Sequence, residues 1–231
     1  MEDAMKLLFF IPVWKRPEIT EICFMGIRRL QKIPGFQISA FSVISEPDMI
    51  PLCEKYGVDW CMHPNFPLGA KKNYGLSQAM KKDFDYLIEL GSDDVLKDEV
   101  LQAYKWGSPV VGLLDFILMD VRTGSCKLLS THIPKFGAGR AFRKDVLSEK
   151  LWNDGASRGM DNFSTFNLAK KGFMQSGAKW EFPLAVSLKS ETNIWNYRQM
   201  LGKRYPIEKA LCGLSEDEIH AISSLHATAT V

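Results

Sequence analysis

Short apolar runs alternate with amphipathic stretches along the first hundred residues. Residues 7–13 form a continuous apolar run that ends at a Pro, Lys and Arg cluster, which is typical of a strand buried on both faces of a parallel sheet. In residues 18–31 apolar side chains recur at helical spacing, with acids early and basic residues late, as the helix dipole favours. The pattern therefore predicts a strand followed by a helix.

The same alternation continues to residue 106. Further strands are predicted over 36–44, 58–62 and 86–90, and further helices over 49–56, 69–82 and 97–106. Strands that alternate with helices indicate βαβ units, a mainly parallel sheet and right-handed crossovers. Residues 6–106 are therefore predicted to form the half that binds a nucleotide.

The rhythm changes after residue 106. Apolar runs over 110–121 and 126–131 flank a turn sequence and predict a hairpin, and a later strand is predicted over 180–188. Helices are predicted over 141–147, 161–171 and 207–211, and the tail 227–231 is expected to fray. No low-complexity linker separates the halves. The predicted fold class is α/β, one domain over 1–231 with a Rossmann-like, mostly parallel central sheet and a smaller mixed lobe in 107–226.

Composition and charge exclude several classes of protein. The 231 residues are 46% hydrophobic and 24% charged, which argues against a disordered or collagen-like chain. A net charge of +2 is too balanced to indicate a nucleic-acid or membrane partner by itself. The five cysteines form no CxxC pair, so neither a disulfide framework nor a zinc knuckle is predicted. The scattered cysteines suit a reducing, cytoplasmic compartment, and no apolar run approaches the ~20 residues that span a bilayer.

Polar residues follow four of the predicted strands, in the segments 14–17, 45–48, 64–65 and 92–94. The carboxyl ends of parallel strands meet at one edge of a sheet, where ligands of open α/β folds bind. A guanidinium, several carboxylates and an amide converge at this edge. We therefore expect a site there for a charged small molecule.

Two adjacent carboxylates, Asp93 and Asp94, leave the fourth predicted strand. They repel each other unless a cation or a hydrogen-bonding loop compensates them. A divalent ion such as Mg²⁺ or Mn²⁺ would do so, together with the phosphates of a nucleoside diphosphate. The structural alternative is that Ser92 or Asp93 caps the helix predicted over 97–106. Spacing alone leaves both open.

Two helix starts carry further candidates. Lys71, Lys72 and Asn73 lie in the first turns of the helix predicted from residue 69, and helix N-termini favour phosphate. A solvated lysine pair is the alternative. Asp161 begins the helix predicted over 161–171, either as its cap or as a general base in a cleft.

Taken in order, these segments resemble the catalytic domain of GT-A fold glycosyltransferases, particularly the inverting, family-2-like enzymes. The similar segments are the opening strand and its Pro and Arg loop (10–17), a helix start with a basic residue and Asn (65–75), the counterpart of the strand that leads to the family's DxD motif (86–96), a glycine-rich segment (137–142) and the Met-Asp counterpart of the family's Glu-Asp pair (160–161). The resemblance covers about residues 6–195.

The resemblance implies transfer of a hexosyl or pentosyl group from a nucleoside-diphosphate sugar, a UDP-sugar first of all, to a hydroxyl acceptor with inversion. Asp161 would be the catalytic base that deprotonates the acceptor. A divalent metal, manganese or magnesium, would bind at Asp93 and Asp94. The nucleotide sugar would contact a larger set, namely Pro12, Arg16, Glu46, Lys72, Asn73, Ser92, Asp93 and Lys189.

Three positions depart from the family's pattern. Gly91 stands where the first acid of DxD is expected, Met160 replaces the Glu before the base, and residues 45–47 replace an Asp-Asp-Gly-Ser segment. These departures leave metal coordination and the base of the nucleotide open. Lys189 could instead supply positive charge to the leaving diphosphate.

The acceptor implied is either a glycan or a modified, hydroxymethylated DNA base of a phage. Basic residues of the second half would suit DNA phosphates, with a solvated surface as the alternative: Lys135, Arg140, Arg143, Lys144, Arg158, Lys170 and Lys171. Nucleotidyl transfer to a sugar phosphate uses a similar fold, but usually with a glycine-rich loop where residues 14–17 stand. A non-catalytic nucleotide-sugar-binding protein is a third possibility.

Overall fold

Two β-sheets with helices packed against them make up the part of the chain that the computed structural model describes, residues 4–134, 136–148, 150–173, 175–190, 197 and 200–228. The strands are β1 (Met5–Val13), β2 (Phe36–Ile44), β3 (Asp59–Met62), β4 (Tyr86–Glu89), β5 (Asp94–Leu96), β6 (Val110–Leu113), β7 (Asp115–Asp120), β8 (Cys126–Ser130), β9 (Arg140–Arg143), β10 (Gln175–Ala178), β11 (Ala185–Lys189) and β12 (Lys203–Tyr205). The helices are α1 (Pro17–Leu30), α2 (Ile50–Tyr56), α3 (Leu68–Ala79), α4 (Val100–Tyr104), α5 (Met160–Lys170), α6 (Ile207–Leu211) and α7 (Glu216–Thr228). Within these residues no helix is both long and apolar enough to cross a bilayer.

Strand β1 is an interior strand of the larger sheet, whose order is β10-β6-β9-β4-β1-β2-β3. It pairs in parallel with β2 and β4, and β2 pairs in parallel with β3. Phe9 and Ile11 enter the core on one face, whereas Leu8 and Phe10 enter the core on the other. Both faces are covered, which explains why this strand is a continuous apolar run instead of an alternating one.

The smaller sheet is mixed, with the order β12-β8-β7-β11-β5. Strands β7 and β8 form the predicted antiparallel hairpin, and β11 lies parallel to β7 and antiparallel to β5. A mostly parallel central sheet beside a smaller mixed one confirms the α/β fold class predicted from the sequence.

Two predictions of local structure are wrong. Residues 141–147 are not a helix: Ala141 and Phe142 lie in β9 and enter opposite cores, as successive strand residues do, and a 3₁₀ turn follows at Lys144–Val146. The run 110–121 is two strands, β6 and β7, which belong to different sheets. The chain passes from one sheet to the other at Leu114, whose N–H donates to the carbonyl of Ala178.

The two sheets exchange strands across residue 106. Strand β5 comes from the first half of the chain and lies in the smaller sheet, while β9 comes from the second half and pairs with β4 and β6 in the larger one. The predicted division at residue 106 therefore does not coincide with a boundary between the sheets.

Helix α7 was missed, although its sequence carries a start signal. Ser215 Oγ accepts from the N–H of Glu218 at 3.3 Å, and Glu218 Oε2 accepts from the N–H of Ser215 at 2.7 Å, which is a capping box. The buried Glu218 also accepts from Arg29 Nε at 2.8 Å, so this cap ties α7 to α1. Helix α7 includes residues 227 and 228 of the segment predicted to fray, and 229–231 lie outside the described residues.

The variant Glu218→Ala is expected to lower the free energy of unfolding by about 3 kcal/mol, because the partly buried Arg29 would lose one of its two carboxylate partners and α7 its cap. Urea denaturation followed by circular dichroism measures the change. The exposed neighbour Asp217 serves as the control, and Asp217→Ala should cost under about 1 kcal/mol. Equal effects of the two substitutions would contradict the structural role assigned to Glu218.

Candidate active site

A cavity of about 510 Å³ lies where the carboxyl ends of the larger sheet's parallel strands face the smaller sheet. Loops after β1 and β4, the starts of α3 and α5, and side chains of β7, β8 and β11 line it. Eight of the ten residues predicted for the site are among them: Pro12, Arg16, Lys72, Ser92, Asp93, Asp94, Asp161 and Lys189. Five parts of the sequence, at 12–16, 72, 92–94, 161 and 189, thus share one cavity.

Asp93 is held between two cations. Lys189 Nζ donates to Asp93 Oδ2 at 2.6 Å, and Arg16 Nη1 lies 3.6 Å from the same oxygen. Burial opposes ionisation of Asp93, but these two cations outweigh it and hold the pKa of the carboxyl below its ordinary value. Asp93 is therefore a carboxylate at neutral pH, with its charge compensated from within the protein.

Asp94 accepts hydrogen bonds from two uncharged donors. Its Oδ2 accepts from the N–H of Gly91 at 2.9 Å, and its Oδ1 accepts from Ser187 Oγ. Burial and the adjacent charge of Asp93 raise the pKa of Asp94 to about 7. Helix α4 starts after Glu99 without a side-chain cap, so the alternative in which Ser92 or Asp93 caps that helix is wrong.

The described residues do not fit a divalent ion at this pair. Lys189 and Arg16 already compensate Asp93, and two donors occupy Asp94. In the described ranges no cluster of three or more His, Cys, Asp or Glu side chains could hold a metal. A Cβ at Gly91 would lie 2.6 Å from Asp94 Oδ2 and 2.9 Å from Asp93 Oδ1, so an added side chain there would displace both carboxylates.

The two lysines of α3 are not solvated. Lys72 forms an ion pair with Glu89, and its ammonium lies 4.2 Å above the ring of Trp152. Lys71 is fully buried and donates to the Val13 carbonyl, to Ser45 Oγ at 2.7 Å and to Asn65 Oδ1 at 3.1 Å. Burial lowers the pKa of Lys71 to about 7. Lys71 therefore ties together the ends of β1 and β2 and the loop after β3, while Lys72 faces the cavity.

A second buried network, around Glu89 and Arg140, supports the start of α5. Glu89 accepts from Lys72 and, at 2.7 Å, from Arg140 Nη2, and the Arg140 side chain is fully buried. Arg140 also donates to the backbone carbonyl of Asp161 at 3.2 Å and to Thr165 Oγ1 at 2.8 Å. The network fixes the first turn of α5 relative to β4.

Asp161 is aimed into the cavity by this arrangement. Its Oδ2 accepts from the N–H of Gly137 at 3.1 Å, and its Oδ1 lies 3.8 Å from Arg140 Nη2. The side chain is 43% exposed, which leaves the carboxylate open to a ligand. Its removal from bulk water and the charge of Glu89 raise its pKa, against the effects of Arg140 and Lys72. Because the side chain makes no cap bond to α5, the capping alternative is wrong.

Glu46 and Asn73 are absent from the described lining of the cavity. Glu46 Oε2 accepts from the N–H of Lys15 at 3.3 Å and so supports the loop after β1. The Asn73 side chain accepts from the N–H groups of Leu151 and Trp152 and donates to the Trp152 carbonyl, so its amide holds the segment before α5. The structure brings neither side chain to the cavity.

Several lining residues are outside the ten predicted site residues. Trp14 packs edge to face on Phe66 at 5.5 Å. Asn65 is buried, its Oδ1 is taken by Lys71, and its Nδ2 has no partner among the described residues. Both lie in polar segments that were expected at this edge of the sheet, whereas the sequence gives no signal for Ser187, which also lines the cavity.

The predicted basic surface is not continuous. Arg140 is interior, and Arg143 pairs with Asp145 through two hydrogen bonds. Lys144 lies over the ring of Phe84 and donates to the carbonyl of Lys82. Lys135 lies outside the described residues. The prediction that Arg140 tracks an external polyanion is therefore wrong.

Comparison with known proteins supports the fold. No known family and no curated protein matches the sequence. A crystal structure of TarS from S. aureus matches with a TM-score of 0.55 at 16% identity, over 80% of this chain and 37% of that one. The S. aureus TarS 1-349 structure matches with a TM-score of 0.49 at 15% identity, over 97% of this chain and 71% of that one. The structure of CMP:2-keto-3-deoxy-manno-octonic acid synthetase complexed with CTP matches with a TM-score of 0.48 at 14% identity, over 83% of this chain and 93% of that one.

At such identities the likeness to TarS shows the fold alone, and this chain spans well under half of the longer TarS chain. The fold class is a mixed α/β, GT-A-like and Rossmann-like one.

The variant Gly137→Ala is expected to lower turnover by about 10²-fold if Asp161 is catalytic, because the added Cβ would lie 2.7 Å from Asp161 Oδ1 and displace it. Gly155→Ala is the control, since a Cβ there meets nothing closer than 3.7 Å. Steady-state kinetics with thermal melting separates displacement from unfolding. A Gly137→Ala enzyme with full activity would contradict the placement of Asp161 at the reacting atoms.

Proposed function

We propose that this chain is a glycosyltransferase that moves a hexosyl or pentosyl group from a nucleoside-diphosphate sugar to a hydroxyl acceptor with inversion of configuration. The observation that carries the proposal is that Asp161 and the cluster of Asp93, Arg16 and Lys189 line the same cavity. Displacement at an anomeric carbon needs a base on one side and cations for a leaving diphosphate on the other. The cavity offers both.

The cations would serve the leaving group. As the bond between the anomeric carbon and the diphosphate oxygen breaks, negative charge grows on that oxygen, and fixed cations stabilise the transition state more than the bound donor. Arg16 has two buried donors, Nε and Nη1, without hydrogen-bond partners among the described residues. Together with Lys189 and Lys72 they would bind the diphosphate, and no step of this mechanism is routed through a metal.

Asp161 would be the general base. The acceptor hydroxyl oxygen attacks the anomeric carbon from the face opposite the diphosphate, its proton passes to the Asp161 carboxylate, and the nucleoside diphosphate departs. The Gly137 N–H holds one carboxylate oxygen at 3.1 Å, which fixes the direction of the other. A raised pKa makes the Asp161 carboxylate a better proton acceptor.

We expect a UDP-sugar as donor and a glycan as acceptor. Trp14 offers a flat apolar surface that would suit a nucleobase. Pro12 and Asn65 line the same cavity, and Asn65 Nδ2 has no hydrogen-bond partner among the described residues. A glycan is favoured over a DNA base because Arg140 and Arg143 are committed to ion pairs within the protein.

The test is incubation of the purified protein with UDP- and GDP-sugars and a panel of glycan acceptors, followed by mass spectrometry. Release of a nucleoside diphosphate supports the proposal. Pyrophosphate release from a nucleoside triphosphate and a sugar phosphate would identify a nucleotidyltransferase instead. Tight binding without turnover of any of them would identify a binding protein.

A further inference from the structure

We propose that this site balances the charge of its leaving diphosphate with Lys189 and Arg16 and works without a divalent metal ion. The inference rests on the proposed transfer from a nucleoside-diphosphate sugar. The family resemblance instead implies a divalent metal ion at Asp93 and Asp94. Three features of the structure argue against such an ion there.

The first feature is the position of Lys189 at the end of β11. Its ammonium lies 2.6 Å from Asp93 Oδ2, and both side chains are nearly buried, at 10% and 12% exposure. A divalent ion bound to the same oxygen at ~2.1 Å would lie within a few ångströms of that ammonium. Like charges so close in a partly buried site repel strongly. The ammonium thus occupies the place that the resemblance assigns to the ion.

The second feature is the way the chain closes around Gly91. The Gly91 N–H and the Ser187 hydroxyl hold the Asp94 carboxylate. The position at which the related motif carries its first acid is this glycine, and a Cβ there would force the Asp93 and Asp94 carboxylates to shift. Residue 91 therefore supplies no carboxylate to a shared ion.

The third feature is the conformation of the loop after β1. Lys15 and Arg16 both adopt left-handed backbone angles, with φ of 57° and 56°. Such angles are costly for residues other than glycine and persist where the surrounding structure demands them. Here they bring the Arg16 guanidinium to the Ser92 hydroxyl at 3.3 Å and close to Asp93. Guanidinium groups bind phosphate oxygens with paired donors, which makes Arg16 a suitable second cation.

Two measurements on the wild-type protein test the inference without relying on turnover. Calorimetric titration with UDP should give the same Kd in excess EDTA and in Mn²⁺. Electron paramagnetic resonance of Mn²⁺ titrated with the protein alone should show no saturable binding. Saturable Mn²⁺ binding, or UDP binding that requires Mn²⁺, would overturn the inference and leave the proposed function intact.

Sugar transfer should likewise proceed equally in EDTA. Transfer that occurs only with Mn²⁺ overturns the inference, whereas absence of both UDP binding and transfer under every condition overturns the proposed function itself. The two failures are therefore distinguishable.

A variant pair adds a test of Lys189. In EDTA, Lys189→Ala should weaken UDP binding by about 10- to 100-fold, since one charge-assisted contact is lost. Lys81→Ala removes an exposed lysine that donates to Gln78 and does not line the cavity, and it should leave the Kd unchanged. Circular dichroism checks that both variants fold. If Lys189→Ala does not fold, the wild-type titrations with UDP and Mn²⁺ test the inference on their own. Equal Kd values for Lys189→Ala and wild type would overturn the role given to Lys189.

Discussion

Asp161→Asn is expected to lower kcat for sugar transfer by about 10²- to 10⁴-fold, the usual contribution of a general base. The amide has the shape of the carboxylate and can still accept from the Gly137 N–H, so the first turn of α5 should remain in place. It cannot take the proton of the acceptor hydroxyl. The Kd of the donor should change little, because the donor's diphosphate would lie at Arg16 and Lys189.

The pH dependence of the transfer rate, compared between wild type and Asp161→Asn, provides a second test. Only the carboxylate form of Asp161 accepts a proton, so the wild-type rate should rise with pH through the raised pKa of this group, above the ordinary value of 3.8. The Asn variant should lose that acidic limb. Asp59→Asn is the matched control, because Asp59 is an exposed carboxylate paired with Lys82 outside the cavity. Near-normal kcat in Asp161→Asn would remove the base assignment.

Glu89→Gln is expected to lower the free energy of unfolding by about 3–5 kcal/mol. Glu89 is buried and is the shared anion of Lys72 and Arg140, which are buried as well. An amide in its place carries no charge and presents an NH₂ group to side chains that are themselves donors. The buried Lys72 would lose its carboxylate partner and the buried Arg140 the nearer of its two, which costs far more than the loss of a surface ion pair.

The sign of the pH effect follows from the shift of Glu89. Burial opposes its ionisation, but Lys72 and Arg140 outweigh it and lower its pKa below the ordinary 4.5. On acidification the unfolded chain therefore binds this proton first. The stabilisation is present above about pH 4.5 and is lost as the pH falls through the lower folded pKa.

The stability difference between wild type and Glu89→Gln should accordingly shrink in acid. Urea denaturation at neutral and acidic pH measures it, with Glu54→Gln on the exposed face of α2 as control. A difference that is constant with pH, or no larger than that of the control, would contradict the buried network.

Local pattern was sufficient where one element decides its own structure. The continuous run of β1 predicts a strand covered on both faces, and the spacing in α1 predicts a helix with one buried side. Pattern failed for β9, because Ala141 and Phe142 are strand residues only through pairing with β4 and β6, which lie far away in sequence. The missed α7 is different, since the Ser215 and Glu218 capping box is legible in the sequence.

The site was predictable as far as sheet geometry determines it. Loops after neighbouring parallel strands must converge, which is why the segments of Arg16 and Asp93 could be placed together. The resemblance implied that Asn73 contacts the nucleotide sugar. Its amide oxygen instead accepts hydrogen bonds from the backbone N–H groups of Leu151 and Trp152. The contact between Lys189 and Asp93 spans 96 positions and depends on how β5 pairs with β11, which no local pattern encodes.

Because β5 and β9 are exchanged between the sheets, neither half of the sequence contains a complete sheet. A fragment cut near residue 106 would strip β4 of its antiparallel neighbour and β5 of β11. The two walls of the cavity are therefore inherited as one unit, and transfer of either half onto another scaffold would bring an incomplete sheet with it.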